Sequence, residues 1–581
     1  MYERLAQLVN SGKWEQAEEE FELHKDDSWT DELAILATVI YFQKGQEEKA
    51  YESIQKGLQY NYKSYELYLL LGNYYETKNV NQAWLCYENA ELYCDKKDDL
   101  DVILQYKRAL EGRKEWNVKK TSIVILSYNL KDITIQCIES IRQNNIVSSY
   151  EIVVVDNNST DGIREWLENQ DDIKLICNDE NKGFPYGCNQ GIKSAEPENN
   201  IFLLNNDTVV TPNAIFWLRM GLYERDDIGA TGSVSNYVMN GQLIVEKYHT
   251  LEEYIDYGVR NNIPRSNPYE KKIYLVGFAL MLKREALDNI GLLDVRFSPG
   301  QYEDNDLGIR LNYAGWKALL CKNSFIFHYG SGGGKYTDSW NSVSERNAEK
   351  LKEKWKFDIR YYTWARLEII KLITHSPDQP VKVLEVGCGL GATLAKIQYF
   401  WPMAEVKGIE IVQRVAELGA NYLDIIQGNI ETMKLPYEEE YFDYIILADV
   451  IEHLHEPEET IRKLIPYLKK GGALLCSIPN LLHVSALLPL LQGQLDYKDS
   501  GILDRTHIRF FTLDSIIKLF SRCGLEMEAL SGTGGDEMTM KEKEMIEALE
   551  KVPYVASKES FQVYQYIFRA RKNNGDKMQN E

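Results

Sequence analysis

The sequence predicts a multidomain protein, an α-helical repeat array followed by two α/β domains that each carry a mostly parallel sheet. Three observations predict it. Small and large apolar residues recur every 33 positions over residues 1–115. Short β-branched runs alternate with amphipathic stretches from Lys119 and again from Val381. The second of these series opens on a glycine-rich strand-to-helix turn, VLEVGCGLGAT. The expected boundaries are 1–115 for the array, 119–335 and 360–572 for the two α/β domains, 336–359 for a helical linker and 573–581 for a disordered tail.

In the array, Ala17, Ala50 and Ala83 align, as do Leu8, Tyr41 and Tyr74, and Phe21, Ile54 and Tyr87. Small alanines let paired helices approach closely while large residues fill the groove, so each repeat buries its apolar face on its neighbour. The pattern resembles tetratricopeptide repeats. A plain helical bundle is the alternative. The resemblance implies a surface for a protein partner or for self-association.

Composition bounds the function. The net charge of −22 would repel nucleic-acid phosphates, and no basic run offers an exception. Apolar residues at 44% and charged residues at 27% suit full-sized buried cores. Nine cysteines form no CxxC pair, which fits reduced thiols. No apolar run is long enough to cross a membrane, and MYERLAQLVNSGKW lacks the blocks of a secretory signal. A cytoplasmic protein is expected, peripheral at the inner face of the membrane if its acceptor is lipid-linked.

The first α/β series reads SIVILSYN, EIVVVDN, IKLICND and NIFLLNND. Ligands of open α/β sheets bind outside the carboxyl ends of strands. Asp156 at such an end can accept from a uracil or thymine N3–H, and the turn from Asn157 to Gly162 can approach a ribose. These motifs resemble inverting family 2 glycosyltransferases of the GT-A fold, including the rhamnosyltransferase-like branch, over residues 120 to about 330. The resemblance implies a UDP- or dTDP-linked sugar gripped by Tyr128, Asn129, Asp156, Asn158, Lys182, Gly183, Asn206 and Asp207. In FLLNNDTVV, Asp207 stands at the family's metal-binding carboxylate, although the first acid of that motif is Asn205 here. With His328 of FIFHYGSGG it implies a Mg²⁺ or Mn²⁺ site. The following GSGGGK has the wrong spacing for a phosphate P-loop and is expected to close over the diphosphate. In QYEDNDLGIRLNYAG, Asp304 of the Glu303–Asp304 pair matches the family's base. Three acids within four residues would repel one another in a single pocket, so some must turn toward solvent, Arg310 or the helix start.

In VLEVGCGLGAT, Gly387, Gly389 and Gly391 form the turn and Glu385 precedes it. Glu410 ends the next strand, where a carboxylate can accept both ribose hydroxyls. Asn429 can hold an adenine amine, with Ile430 flanking the ring. Seven strands with a late hairpin-like pair complete a pattern resembling class I S-adenosylmethionine-dependent methyltransferases over about residues 360–572. The family more often has Asp at position 429. Downstream, Asp449, Glu452 and His453 in FDYIILADVIEHLHEP are placed on one helical face by their spacing. Three readings stay open: a second Mg²⁺ site, His453 as general base without metal, or a helix cap that packs on the cofactor, with Asp449 counted among the cofactor contacts. GILDRTHIRFFT, carrying His507, is expected to face the acceptor.

Together these motifs point to a bifunctional enzyme, adding a sugar to a glycan, lipid-linked glycan or protein and O-methylating a sugar hydroxyl. The alternative is a repeat scaffold with only one active catalytic domain.

Overall fold

A computed structural model describes residues 2–24, 29–330, 338–534, 538–553 and 556–572. The expected GSGGGK loop over residues 331–335 and the 573–581 tail lie outside the described residues. The chain divides into two units, Met1–Lys356 and Phe357–Glu581. No helix among the described residues is long and apolar enough to cross a membrane.

Among the described residues the first unit begins with seven helices between Tyr2 and Glu111. Ala17, Ala50 and Ala83 are all fully buried, and Phe21, Ile54 and Tyr87 are buried with them, whereas of the third aligned set only Tyr41 is buried and Leu8 and Tyr74 are half-buried. A sheet follows, with β1 (Thr121–Ser127), β2 (Tyr150–Asp156), β3 (Ile173–Cys177), β4 (Asn200–Asn205), β5 (Thr208–Val210), β6 (Ile228–Val234), β7 (Tyr269–Lys272), β8 (Ala279–Leu282) and β9 (Lys317–His328). Its order is β3-β2-β1-β4-β8-β6-β9-β5, with β7 paired to β9. The β3-β2-β1-β4 half is parallel. Its strands are β-branched and buried through the centre, which suits a sheet covered on both faces. β8 enters antiparallel between β4 and β6. The carboxyl ends of β1, β2 and β4 therefore lie along one edge, and the carboxyl end of β9 joins them beside β5, in register Thr208↔His328.

The helix Ala214–Leu222 is buried at all nine positions. Its sequence, AIFWLRMGL, is apolar on every face, as a helix covered from two sides must be. The sheet covers one side. The helical layer contributes to the other: Phe216 packs edge-on against Tyr68 with ring centroids 5.7 Å apart, and Gln82 Nε2 donates to the Met220 carbonyl at 2.9 Å. Asn79 Nδ2 donates to the Tyr223 carbonyl at 2.7 Å. Arg219 pairs with Glu88, both buried. Part of the surface of the helical layer is thus occupied by its own chain.

The helix Asp338–Trp355, expected as a linker, is packed on the first unit. Asn347 Nδ2 donates to the carbonyls of Phe297 and Gly300 at 2.7 and 2.8 Å, and Trp355 Nε1 donates to Asp306 Oδ1 at 2.9 Å.

The second unit carries β10 (Lys382–Val386), β11 (Glu405–Glu410), β12 (Ile425–Gln427), β13 (Phe442–Ala448), β14 (Leu468–Pro479), β15 (Leu525–Thr533) and β16 (Gln565–Lys572), in the order β12-β11-β10-β13-β14-β16-β15. The first five are parallel, and β16 slots antiparallel between β14 and β15. All seven predicted strands are present, and the late pair closes the sheet as a Rossmann-like mixed sheet.

Replacing Glu88 with Ala leaves the Arg219 guanidinium buried without its carboxylate, a defect that costs about 3–5 kcal/mol. Urea unfolding of the full chain is expected to show an earlier transition for the first unit and an unchanged one for the second. An unchanged first transition would show that the helical layer does not depend on this pair.

Candidate active sites

In the first unit the turn after β2 is built around Asp156. Its carboxylate is fully buried and accepts from the Ser159 backbone N–H at 3.3 Å. Arg164 grips the same carboxylate through Nε at 2.8 Å and also donates to the Asn178 carbonyl at 2.7 Å. A base bound here must therefore share Asp156 with Arg164, a partner that the sequence reading missed. A buried carboxylate needs a cation, and Arg164 is the nearest one along the chain, which was the signal available.

Asn129 and Asn158 both have positive φ, at 57° and 69°. Asn129 ties the turns after β1 and β2 together: its N–H donates to Ser159 Oγ at 2.8 Å and its Oδ1 accepts from the Thr160 N–H at 2.9 Å. Tyr128 beside it is half exposed. A second network fixes the 181–183 loop. Asn157 Nδ2 donates to Asn181 Oδ1 at 2.8 Å, and Asn157 Oδ1 accepts from the Lys182 N–H at 3.1 Å. Gly183, at φ 81°, lies against the backbone of Pro299, where a Cβ would come within 2.7 Å of the Pro299 Cα. No other residue fits that approach. Asn206 differs from expectation. Its amide turns inward and donates to Thr134 Oγ1 at 2.9 Å.

Asp207 and His328 meet at the ends of β4 and β9, with His328 Nε2 3.1 Å from Asp207 Oδ1. His328 Nδ1 lies 2.7 Å from the Tyr237 carbonyl. A carbonyl only accepts, so Nδ1 carries the proton and the Nε2 lone pair of the neutral ring faces a carboxylate oxygen. Two acceptors at that distance call for a cation between them or a protonated ring, and an N,O donor pair with an oriented second nitrogen fits a divalent metal. Phe278 stacks on the His328 ring, with centroids 5.1 Å apart. Next to it, the Gly277 N–H donates to Asp304 Oδ2 at 3.1 Å, and Asp304 Oδ1 accepts from the Asn305 N–H at 2.8 Å. The segment 277–278 therefore links the metal-competent pair to the acidic pair.

The three acids at the start of the helix Glu303–Tyr313 separate. Asp306 is fully buried and turns away, onto Arg310 Nε at 2.8 Å, Lys354 Nζ at 2.5 Å and the Trp355 indole. Glu303 is buried with Oε2 lacking a hydrogen-bond partner among the described residues, and burial followed by the neighbouring Asp304 charge pushes it up to about 8. Burial also raises Asp304, against the backbone N–H groups of Gly277, Asn305 and its own residue that favour its ionised form.

In the second unit, Gly387, Gly389 and Gly391 have φ of 68°, 54° and 77°. At Gly389 a Cβ would lie 3.0 Å from the Tyr362 carbonyl. Glu410 is held by both oxygens, from the Gly389 N–H and the Val412 N–H, each at 2.9 Å, so it faces the glycine turn. Glu385 is buried beneath that turn with Oε2 unpartnered among the described residues, and burial pushes it up to about 8 against the Thr393 hydroxyl and Arg366. Asn429 Oδ1 accepts from the Glu431 N–H at 2.9 Å, and Ile430 beside it is buried.

The expectation that Asp449, Glu452 and His453 share a helical face needs correction. Asp449 precedes the turn at φ 54°, and residues 451–453 form a single 3-10 turn. The Asp449 carboxylate is spent on Arg366, Gln565 and Ser477, the last at 2.9 Å. None of these three was anticipated, because they come from distant parts of the chain. His453 meets His507 instead, with ring centroids 4.8 Å apart. Burial lowers His453 and raises the Glu452 carboxyl well above the usual range.

Comparisons with known proteins agree with this division. Residues 122–291 match the glycosyl transferase family 2 and residues 357–530 a methyltransferase domain family. The demethylmenaquinone methyltransferase of Bacillus cytotoxicus is 25% identical over 190 residues, covering 29% of this chain and 78% of that one. An uncharacterized glycosyltransferase of Bacillus subtilis, YfnE, is 26% identical over 254 residues, covering 36% of this chain and 64% of that one. The ubiquinone biosynthesis O-methyltransferase of Rickettsia canadensis is 26% identical over 181 residues, covering 29% and 73%.

Proposed function

Because this chain joins a family 2 glycosyltransferase domain to a class I methyltransferase domain, with transferase activity of both kinds, we propose that it acts twice in building one glycan. It transfers a sugar from a UDP- or dTDP-linked donor to a glycan, lipid-linked glycan or protein, and it O-methylates a sugar hydroxyl with S-adenosylmethionine. The setting proposed is surface polysaccharide or protein-glycan synthesis on the cytoplasmic side, with the tetratricopeptide-like repeats holding a protein acceptor or a second copy. The observation that carries this reading is that each unit separately gathers its own carboxylates, with Asp156 and Asp207 at the carboxyl ends of strands and Asp304 tied to the Gly277 N–H beside them in one, and Glu410 at a strand end in the other.

In the first unit, Asp156, Asn129 and Asn158 receive the nucleoside, and Lys182 with the Gly183 turn lies against its phosphates. Asp207 and His328 would hold Mn²⁺ or Mg²⁺. That ion supplies positive charge to the leaving diphosphate when bound. Asp304 takes the proton of the attacking acceptor hydroxyl. Its raised pKa brings it closer to the operating pH than an ordinary aspartate. Glu303 below it stays protonated and spares Asp304 a second negative charge.

In the second unit, Glu410 accepts the ribose hydroxyls and Asn429 and Ile430 line the adenine. Glu385 lies below the turn of Gly387, Gly389 and Gly391, where the amino-acid end of the cofactor comes. S-adenosylmethionine supplies an electrophilic methyl group when bound, so the protein's task at the acceptor hydroxyl is mainly alignment. His453 and His507 stand on that acceptor side.

Asp304→Asn is expected to lower glycosyl transfer by about 10²–10⁴-fold and to leave S-adenosylhomocysteine affinity unchanged. Glu410→Ala should do the reverse. Loss of both activities in either variant would contradict two separate sites.

Removing divalent metal with a chelator is expected to stop glycosyl transfer, with Mn²⁺ or Mg²⁺ restoring it. Transfer that persists in chelator would point to a metal-free mechanism and would sink the role given to Asp207 and His328.

Glu385, held up to about 8 by burial, is protonated at neutral pH in the free protein. Its folded pKa lies above the unfolded value near 4.5, so by itself it subtracts stability as pH rises from about 4.5 to about 8. A ligand ammonium beside it would favour the ionised form. S-adenosylhomocysteine affinity should therefore rise with pH up to about 8. Glu385→Gln should flatten that rise, and an identical profile in the variant would remove Glu385 from the ligand's reach.

A further inference from the structure

The segment carrying His507 folds back onto the 451–453 turn. The N–H groups of Ile508 and Arg509 both donate to the Glu452 carbonyl, at 3.0 and 3.1 Å. This brings Glu452, His453 and His507 together, with one ligand atom from each lying within 4.8 Å of the others.

Each histidine has its tautomer set by the backbone. His453 Nδ1 is 3.1 Å from the Thr506 carbonyl, and His507 Nδ1 is 2.9 Å from the Ile502 carbonyl. Carbonyls accept only, so both Nδ1 atoms carry protons and both neutral rings keep an Nε2 lone pair. This is how metal-ligating histidines are oriented, with the second nitrogen donating to a carbonyl. Glu452 is 1% exposed, and neither carboxylate oxygen has a hydrogen-bond partner among the described residues. A buried carboxylate with no donor at all is costly. Two nitrogen lone pairs beside it supply no proton.

We propose that Glu452, His453 Nε2 and His507 Nε2 bind one divalent first-row transition metal in the methyltransferase unit. Two imidazoles and one carboxylate favour Zn²⁺, Co²⁺ or Ni²⁺ over the oxygen-seeking Mg²⁺. Asp449 is not a ligand, because Arg366, Ser477 and Gln565 already hold it. Three protein ligands leave a coordination position open, the arrangement of a metal that takes a substrate oxygen. That last point rests on the methyltransferase reading; the metal site itself does not.

The test is titration of the full-length protein with Co²⁺ alone, followed by visible absorption and thermal shift, in a His328→Ala background that removes the metal pair of the first unit. One equivalent of Co²⁺ with d–d bands is expected. His507→Gln and Glu452→Gln should each weaken that binding about 100-fold or more, a scale at which even outer partners of metal ligands act. Asp449→Asn should leave it intact. Equal Co²⁺ spectra and stoichiometry with and without the His507→Gln change would overturn the proposal. So would the absence of any Co²⁺ band. His507 is only partly buried, so its variant is expected to fold, and retained S-adenosylhomocysteine binding checks that. Loss of metal with that binding retained supports the site. Adenosyl ligand bound with no metal in the parent protein defeats the metal site and leaves the methyltransferase reading standing.

Discussion

A buried carboxylate at the carboxyl end of the strand second from one edge of the sheet organises each unit. Asp156 closes β2 next to β1, and Glu410 closes β11 next to β10. A parallel sheet leaves backbone groups unpaired at its strand ends, and an ionised side chain buried there is tolerable only when N–H groups or a cation meet it. The turn after β2 provides the Ser159 N–H and Arg164; the glycine turn and Val412 provide two N–H groups for Glu410. The positive-φ residues of both turns follow from this requirement, since only backbone bent that way aims its N–H groups inward. Around that constraint the remaining site residues take their places.

Much of this was legible in the sequence. Strands announced themselves through β-branched runs, and the acids that end several of them, Asp156, Asp207 and Glu410, marked one edge of each sheet. The glycines at 387, 389 and 391 carried their own explanation, as did Gly183, because positive φ and close backbone approach admit nothing else. The helix Ala214–Leu222 was legible in principle too: a helix apolar on every face has to be covered twice, and the N-terminal helices do part of the covering.

What was not legible depends on residues far apart in the chain. Periodicity places Asp449 with Glu452 and His453 only if a helix runs through all three, and Asp449 instead takes φ 54° to reach Arg366 and Gln565, 83 residues before it and 116 after it. His507 arrives from 54 residues beyond His453 because a separate segment pairs with the Glu452 carbonyl. Asp306 likewise leaves its acidic neighbours for Lys354 and Trp355 on a helix that composition marked only as polar and charged. The turn of Asp306 onto Arg310 was within reach of the sequence, because the two stand four residues apart on one helix, whereas Lys354, Trp355, Arg366, Gln565 and His507 come from elsewhere in the chain, since a buried charge goes wherever the fold brings its counter-charge.

The central claim is that one chain holds two distinct ligand sites, one for a nucleotide sugar and one for the methyl donor. Calorimetric titration of the full-length protein with UDP and dTDP in the presence of Mn²⁺, and with S-adenosylhomocysteine before and after, tests it most directly. One equivalent of one pyrimidine nucleotide and one equivalent of the adenosyl ligand are expected, bound together without competition. At 100 times its dissociation constant each should stabilise its unit by roughly 2.7 kcal/mol. Competition between the two for a single site, or failure of either to bind at saturating concentration, would contradict it.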